Sequence, residues 1–226
     1  MSGYFIVFEG PEGSGKSTQA RRLADWLRGG AADVVLTREP GGTPLGERIR
    51  DLLLAQDAYA MLPEAEALLY AAARAQHVGA VVRPALEHSA TVVCDRFVDS
   101  SIAYQAGGRG LPLAEILAIQ RLAVGDVRPD LRLLLDVPVA IGLARRFAAG
   151  EEINRFDRAE LTFHERVRDV YLRLADAEPG QWVVIDAARP ADAVFADVVT
   201  AVAQRLPDLW SEVASRRRPT AAGGTE

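Results

Sequence analysis

Eight residues near the start of the chain carry the clearest chemistry. Gly10-Pro11-Glu12-Gly13-Ser14-Gly15-Lys16-Ser17 has the pattern GxxxxGKS. Glycines at such positions let the backbone take torsions closed to other residues and turn successive N–H groups onto a phosphate chain. The pattern follows the apolar run Tyr4–Glu9 and precedes a stretch with helical spacing, the context that makes it specific. The first turn of that helix aims unpaired amides and its positive dipole end at the same anion. Lys16 is then set to reach β and γ phosphates, Ser17 to ligate Mg²⁺, and Thr18 to complete the cradle. Lys16 also stands out in composition: of 26 basic residues it alone is a lysine. Coding bias explains arginine elsewhere, but a compact ammonium enters a tight phosphate cradle where a planar guanidinium fits poorly.

Two further clusters sit where apolar runs end. In Thr37-Arg38-Glu39-Pro40-Gly41-Gly42-Thr43, Arg38 is placed to meet an acceptor phosphate, and the Pro-Gly-Gly turn allows close backbone approach. In Cys94-Asp95-Arg96-Phe97, Asp95 can orient Mg²⁺ or its water shell, and Arg96 can reach between donor and acceptor phosphates. Locally, each cluster also reads as a turn or strand end with an ion pair. A phosphate cradle alone does not name the phosphate acceptor. A GTPase needs a base-reading NKxD run, and the one asparagine, Asn154, is not in one. An acceptor pocket closed by an arginine-bearing lid points instead to a small-molecule kinase.

Strands are predicted at Tyr4–Glu9, Val34–Thr37, Thr91–Cys94, Leu131–Val137 and Gln181–Asp186, several continuously apolar as buried parallel strands require. Helical spacing fills Ser17–Leu27, Pro44–Leu54, Glu64–Glu87, Pro112–Val124, Pro138–Ala149, Asp157–Ala177 and Ala191–Leu206. The alternation predicts an α/β fold with a five-stranded parallel sheet flanked by helices. On the long segment Glu64–Glu87, Leu68, Ala72, Ala75 and Gly79 form a narrow stripe, beside a face bearing Tyr70, Arg74 and His77. One kinase domain over residues 1–210 is expected, with a lid about 147–157 and a disordered tail at 211–226.

The formal charge of -5 gives no bulk attraction to a nucleic-acid backbone. One cysteine excludes an internal disulfide framework, and three scattered histidines do not make a zinc site. The opening residues MSGYFIVFEG have no basic n-region, and their apolar run is too short to span a membrane. A cytoplasmic protein without nucleic-acid or membrane partners is expected.

Taken together the motifs resemble those of the bacterial thymidylate kinases. The resemblance rests on GPEGSGKST (Gly10–Thr18), TREPGGT (Thr37–Thr43), YAAARAQH (Tyr70–His77), DRFVDSSIAYQAGGRG (Asp95–Gly110), RPDLRLLLDV (Arg128–Val137) and RFAAGEEINRFD (Arg146–Asp157). It spans Met1 to Leu206, and the Asp95–Gly110 block is its most specific part. The family implies a P-loop NTPase fold with the sheet in the order 2-3-1-4-5. It also implies transfer of the ATP γ-phosphoryl group to dTMP with Mg²⁺, for dTTP synthesis, by a homodimer. It further implies that Tyr70 stacks on thymine, Arg74 bonds the base edge, and Ser101 and Gln105 lie near the base. Tyr104 would crowd the sugar 2′ position and Arg38 and Arg96 would grip the 5′-phosphate. Glu12 would lie near the acceptor sugar or metal, and Asp95 would support magnesium. With no arginine among Pro11, Glu12 and Ser14, the chain resembles members whose lid supplies transition-state charge. It departs from them at Ala149, where a basic residue is familiar. Arg145 is then expected over the adenine, and Arg146 or Arg155 at the transferred group. A kinase for another nucleoside monophosphate and a low-turnover nucleotide-binding regulator are the alternative readings.

Overall fold

A computed structural model describes residues 3–30, 32–55, 61–148, 150, 156 and 159–217. Five strands, β1 (Phe5–Glu9), β2 (Val34–Arg38), β3 (Thr91–Asp95), β4 (Leu131–Asp136) and β5 (Trp182–Asp186), form one parallel sheet. Its order is β2-β3-β1-β4-β5, as the family resemblance implies. The continuous apolar run of β1 is explained by its central place: Phe5, Ile6, Val7 and Phe8 are all 0% exposed.

Helices α1 (Lys16–Arg28), α2 (Pro44–Leu54), α3 (Pro63–His77), α4 (Arg83–Glu87), α5 (Val98–Ser101), α6 (Leu113–Val124), α7 (Val139–Ala148), α8 (Leu161–Ala177), α9 (Ala191–Arg205) and α10 (Pro207–Arg217) cover the sheet. One face carries α1, α9 and α10 over a core that includes Leu23, Leu133 and Val198. The opposite face packs Val78, Val82 and Val124 against Phe5 and Val92. The long helix expected over Glu64–Glu87 is helical throughout, but a π-helical turn at Val78–Val82 divides it. Pro84, which lacks an N–H and crowds the carbonyl four residues back, lies two residues beyond it.

Two elements were not foreseen. The Asp95–Gly110 block contains α5, extended by a π-helical segment at Ile102–Gly108. The chain is also helical through Arg217, past the point where disorder is expected. Leu209 and Val213, one turn apart, enter the core, and Trp210 stacks on Trp26 with ring centroids 5.3 Å apart. Their burial outweighs the polar composition that follows. Residues 218–226 lie outside the described residues.

Parallel strands all end on the same edge. The register sets Phe8 beside Asp95 and Arg38 beside Asp95, so the carboxyl ends of β1, β2 and β3 converge. Ligands of open α/β sheets bind at such an edge.

Candidate active site

The loop between β1 and α1 is built around glycines that no other residue replaces. Gly10, Gly13 and Gly15 have φ of 140°, 66° and 88°. A Cβ on Gly13 would come 1.9 Å from the carbonyl oxygen of Gly142 on α7, so loop and helix touch backbone to backbone. Inside the loop Lys16 is 6% exposed, and its Nζ donates to the Pro11 carbonyl at 2.7 Å and to Ser14 Oγ at 3.2 Å. Burial, reinforced by the nearby Arg96 charge, pulls its pKa down to about 8. An incoming anion would reverse that shift.

Ser17 donates its hydroxyl hydrogen to Oδ2 of Asp95 at the end of β3. The other carboxylate oxygen, Oδ1, is buried with no hydrogen-bond partner among the described residues. A hydroxyl and a carboxylate with an unused buried oxygen make a hard oxygen donor set that fits Mg²⁺.

The next residue is conformationally strained. Arg96 has φ of 73°, a left-handed backbone that costs free energy outside glycine and clusters at functional sites. The turn directs its guanidinium across the edge of the sheet. Nη1 donates to the Gly10 carbonyl at 3.2 Å and to the Tyr171 hydroxyl at 3.2 Å, and Nη2 to Glu12 at 3.3 Å and the Tyr104 hydroxyl at 3.2 Å. Tyr104 in turn donates to Glu12 at 2.6 Å. Burial raises the Glu12 pKa, but hydrogen bonding from His164 and the charges of Arg96 and Lys16 prevail and hold it at about 2. Beneath this layer Glu9 is wholly buried, accepting from Phe97 N at 2.8 Å, Ser100 Oγ at 2.7 Å and Tyr171 OH at 2.8 Å. Burial, with the Asp99 charge, pushes Glu9 up to about 7.

Lys16, Ser17, Glu12, Asp95, Arg96 and Tyr104 line one cleft of about 620 Å³, with Glu9 and Tyr171 behind its wall. Its walls include Glu12 through Thr18 of the loop, together with Asp95 and Arg96. To one side stand Arg145, Arg146, Arg189 and Pro190; to the other stand Arg38, Tyr70, Arg74, Ser101, Tyr104 and Gln105. Gly10 and Pro11 contribute through the carbonyls that hold Arg96 and Lys16. Every sequence-predicted site residue within the described set is thus brought together. Arg155 and Ala149 lie outside the described residues.

Arg74 has more partners than a base contact implies. It is 1% exposed; Nε donates to Glu39 at 2.6 Å, Nη1 to Ser101 at 2.8 Å and to Gln120, and Nη2 to the Phe97 carbonyl at 2.7 Å. Glu39 also meets His77 Nδ1 at 2.9 Å, and the far nitrogen of His77 meets Thr37 at 2.7 Å. Arg38 pairs with Glu47 at 2.9 Å at the cleft mouth. Arg145 is tied to the β5–α9 loop, donating to the carbonyls of Ala187 at 2.6 Å and Ala188 at 2.8 Å.

Sequence reasoning missed Glu9, Arg50, His164 and Tyr171. Arg50 lines the cleft and donates to the Pro40 carbonyl at 3.1 Å, its pKa lowered by burial and by Arg38. None belongs to a short motif. Only the buried helix face Phe163, His164, Val167 and Tyr171, at helical spacing, was available as a signal.

A glycine-built phosphate loop at the carboxyl edge of a 2-3-1-4-5 parallel sheet, in one cleft with a polar and aromatic wall beyond Arg96, defines a P-loop nucleotide kinase. The thymidylate kinase family profile matches residues 8–198. The chain is 54% identical over 199 residues to the thymidylate kinase of Thermomicrobium roseum, covering 86% of this chain and 94% of that one. It is 51% identical over 209 residues to that of Pseudomonas fluorescens, covering 92% and 97%. The crystal structure of thymidylate kinase from Ehrlichia chaffeensis superposes with a TM-score of 0.72 at 34% identity, over 89% of this chain and 99% of that one. The chain belongs to the thymidylate kinase family, and its reaction is transfer of phosphate from ATP to dTMP.

Proposed function

We propose that Arg96 is the pivot of this reaction, standing between a donor half and an acceptor half of one cleft. ATP lies with its phosphates in the Gly10–Thr18 loop and its adenine against Arg145 and Pro190. The acceptor dTMP lies beyond Arg96, its thymine on Tyr70 and its base edge toward Arg74, Ser101 and Gln105. Arg38 and Arg96 hold its 5′-phosphate, and Tyr104 and Glu12 border the sugar. The observation that carries this reading is that both groups of residues line a single 620 Å³ cleft.

The step is an in-line displacement. A 5′-phosphate oxygen of dTMP bonds to the γ-phosphorus as the bond from that phosphorus to the bridging oxygen breaks. ADP leaves with the electron pair. The attacking oxygen is already anionic, so no general base is needed; positioning and charge neutralisation carry the rate. Lys16 neutralises charge beside the β,γ-bridge. Arg96, together with Arg146 or Arg155, neutralises charge on the transferred group. Ser17 and Asp95 would hold Mg²⁺, which when bound supplies further positive charge at the phosphates.

The working unit is a homodimer formed through α2, α3 and α6. Leu68 is 55% exposed, and Ala72, Ala75 and Gly79 on the same stripe are also exposed. A Cβ on Gly79 would meet nothing within 4 Å. Leu52 on α2 and Leu113, Leu117 and Leu122 on α6 add exposed apolar area. Small side chains with bulky flanks permit close helix approach. Among the described residues no helix is long and apolar enough to cross a membrane. The cytoplasm, where ATP is available, is the proposed compartment.

Purified protein assayed with ATP against dTMP, dUMP, dCMP and dGMP tests the acceptor assignment. Turnover preferring dTMP is expected. Equal use of the purine acceptor would overturn the roles of Tyr70 and Arg74.

A further inference from the structure

Glu12 has three polar neighbours, and they are not equivalent. Tyr104 OH lies 2.6 Å from the carboxylate and Arg96 Nη2 lies 3.3 Å from it. Both of these side chains line the cleft and face the acceptor. The third is His164 on α8, whose Nδ1 lies 3.5 Å from Glu12 Oε2. Its side chain is 1% exposed and forms no part of the cleft wall. When an acceptor phosphate arrives, Arg96 must share its donors with that anion, and Glu12 loses part of its support. His164 alone can keep its contact with Glu12, because nothing in the reaction competes for it.

The ring is held in place to do so. Its neighbour Phe163 packs against Gly108, where an added Cβ would fall 2.4 Å from the Phe163 ring. Further along α8, Arg168 bonds Asp136 at 2.7 Å and Tyr171 bonds Glu9 at 2.8 Å. A carboxylate only accepts, so Nδ1 carries the hydrogen. Nε2 has no hydrogen-bond partner among the described residues. The contact to Glu12 is therefore the one polar interaction recorded for this buried ring.

We infer that His164 is a positioning residue for the acceptor half of the site, its Nδ1–H fixing the Glu12 carboxylate in the orientation that Tyr104 and Arg96 require. The inference rests on the acceptor assignment made above. Outer partners of this kind act by orienting the groups that touch substrate.

The two ring nitrogens allow a sharp test. In His164→Asn the amide nitrogen falls near the position of Nδ1; in His164→Gln it falls near that of Nε2. His164→Leu supplies volume without a donor. Steady-state constants for dTMP and ATP, with a thermal melt of each variant, are the measurements. Leu and Gln should raise KM for dTMP about tenfold, leaving KM for ATP within about twofold, as for one lost hydrogen bond to a charged group. Asn should restore KM for dTMP to within about threefold of wild type. In a Glu12→Gln background, His164→Leu should add nothing further to KM for dTMP. Equal effects of Asn and Gln, parallel changes in both KM values that follow the melting temperature, or additivity with Glu12→Gln would each overturn the role. Wild-type protein that fails to use dTMP would instead overturn the acceptor assignment, which the same experiment reads separately.

Discussion

Arg74 and Glu39, 35 residues apart in sequence, meet as a buried ion pair with Nε 2.6 Å from Oε2 and side-chain exposures of 1% and 3%. The pair is anchored to His77 on one side and to Ser101 on the other. Arg74 is therefore part of the frame as well as part of the cleft wall. Removing one partner of a buried pair leaves the other charged and unsolvated, at a cost of about 3–5 kcal/mol. Arg74→Ala is expected to lower stability by that order as well as weakening dTMP binding. Urea unfolding of Arg74→Ala, Glu39→Gln and the double variant checks it, the double falling well short of the sum.

Lys16→Ala is expected to keep the fold and lose phosphoryl transfer by at least about 10²-fold, since it removes the charge beside the β,γ-bridge. Lys16→Arg is expected to be nearly as impaired. The ammonium sits 2.7 Å from the Pro11 carbonyl in a cradle that leaves it 6% exposed, too tight for a planar guanidinium. Single-turnover rates with circular dichroism as a fold control decide both.

Glu9 makes stability depend on pH in a direction unusual for a carboxylate. Its pKa rises from 4.5 in the unfolded chain to about 7 in the fold, through burial and the Asp99 charge. Between those values the native state binds more protons than the unfolded state. Its contribution is fully present below 4.5 and lost as pH rises through about 7. Glu9→Gln has no proton to lose, and its amide can donate to Ser100 and Tyr171 where the carboxylate accepts. The variant is expected to gain on wild type by about 1–3 kcal/mol as pH rises across that window. Melting curves of both proteins at a series of pH values check this.

The lid arginines are expected to separate by kinetic signature. Arg145 is held by the carbonyls of Ala187 and Ala188 where the adenine is proposed to lie, so Arg145→Ala should raise KM for ATP with little change in kcat. Arg146→Ala or Arg155→Ala should lower kcat by about 10²-fold with smaller changes in either KM, the pattern of a contact made in the transition state. Single-turnover rates distinguish them. If all three keep the wild-type chemical rate, Arg96 supplies the charge.

Much of the site was legible before any coordinates. The loop from Gly10 to Ser17 and the clusters around Arg38 and Asp95 are runs of neighbours, each at the end of a strand. Local spacing is enough to find them, and parallel strands bring their carboxyl ends to one edge whatever the loops do. The strand order does not follow from that regularity; the family resemblance implies it.

What the tertiary structure alone decided involves partners far apart in the chain. Glu9 is the last residue of a strand and His164 a polar residue on an apolar helix face; nothing local marks either as part of the site. Tyr171 reaches Glu9 across 162 residues, and the helix through Arg217 exists because Leu209 and Val213 find the core. Arg74 shows the difference most clearly. Its spacing from Tyr70 puts the two on one helix face, but only packing reveals Glu39 and Ser101 as its partners, because a buried guanidinium must satisfy its donors wherever the fold supplies acceptors.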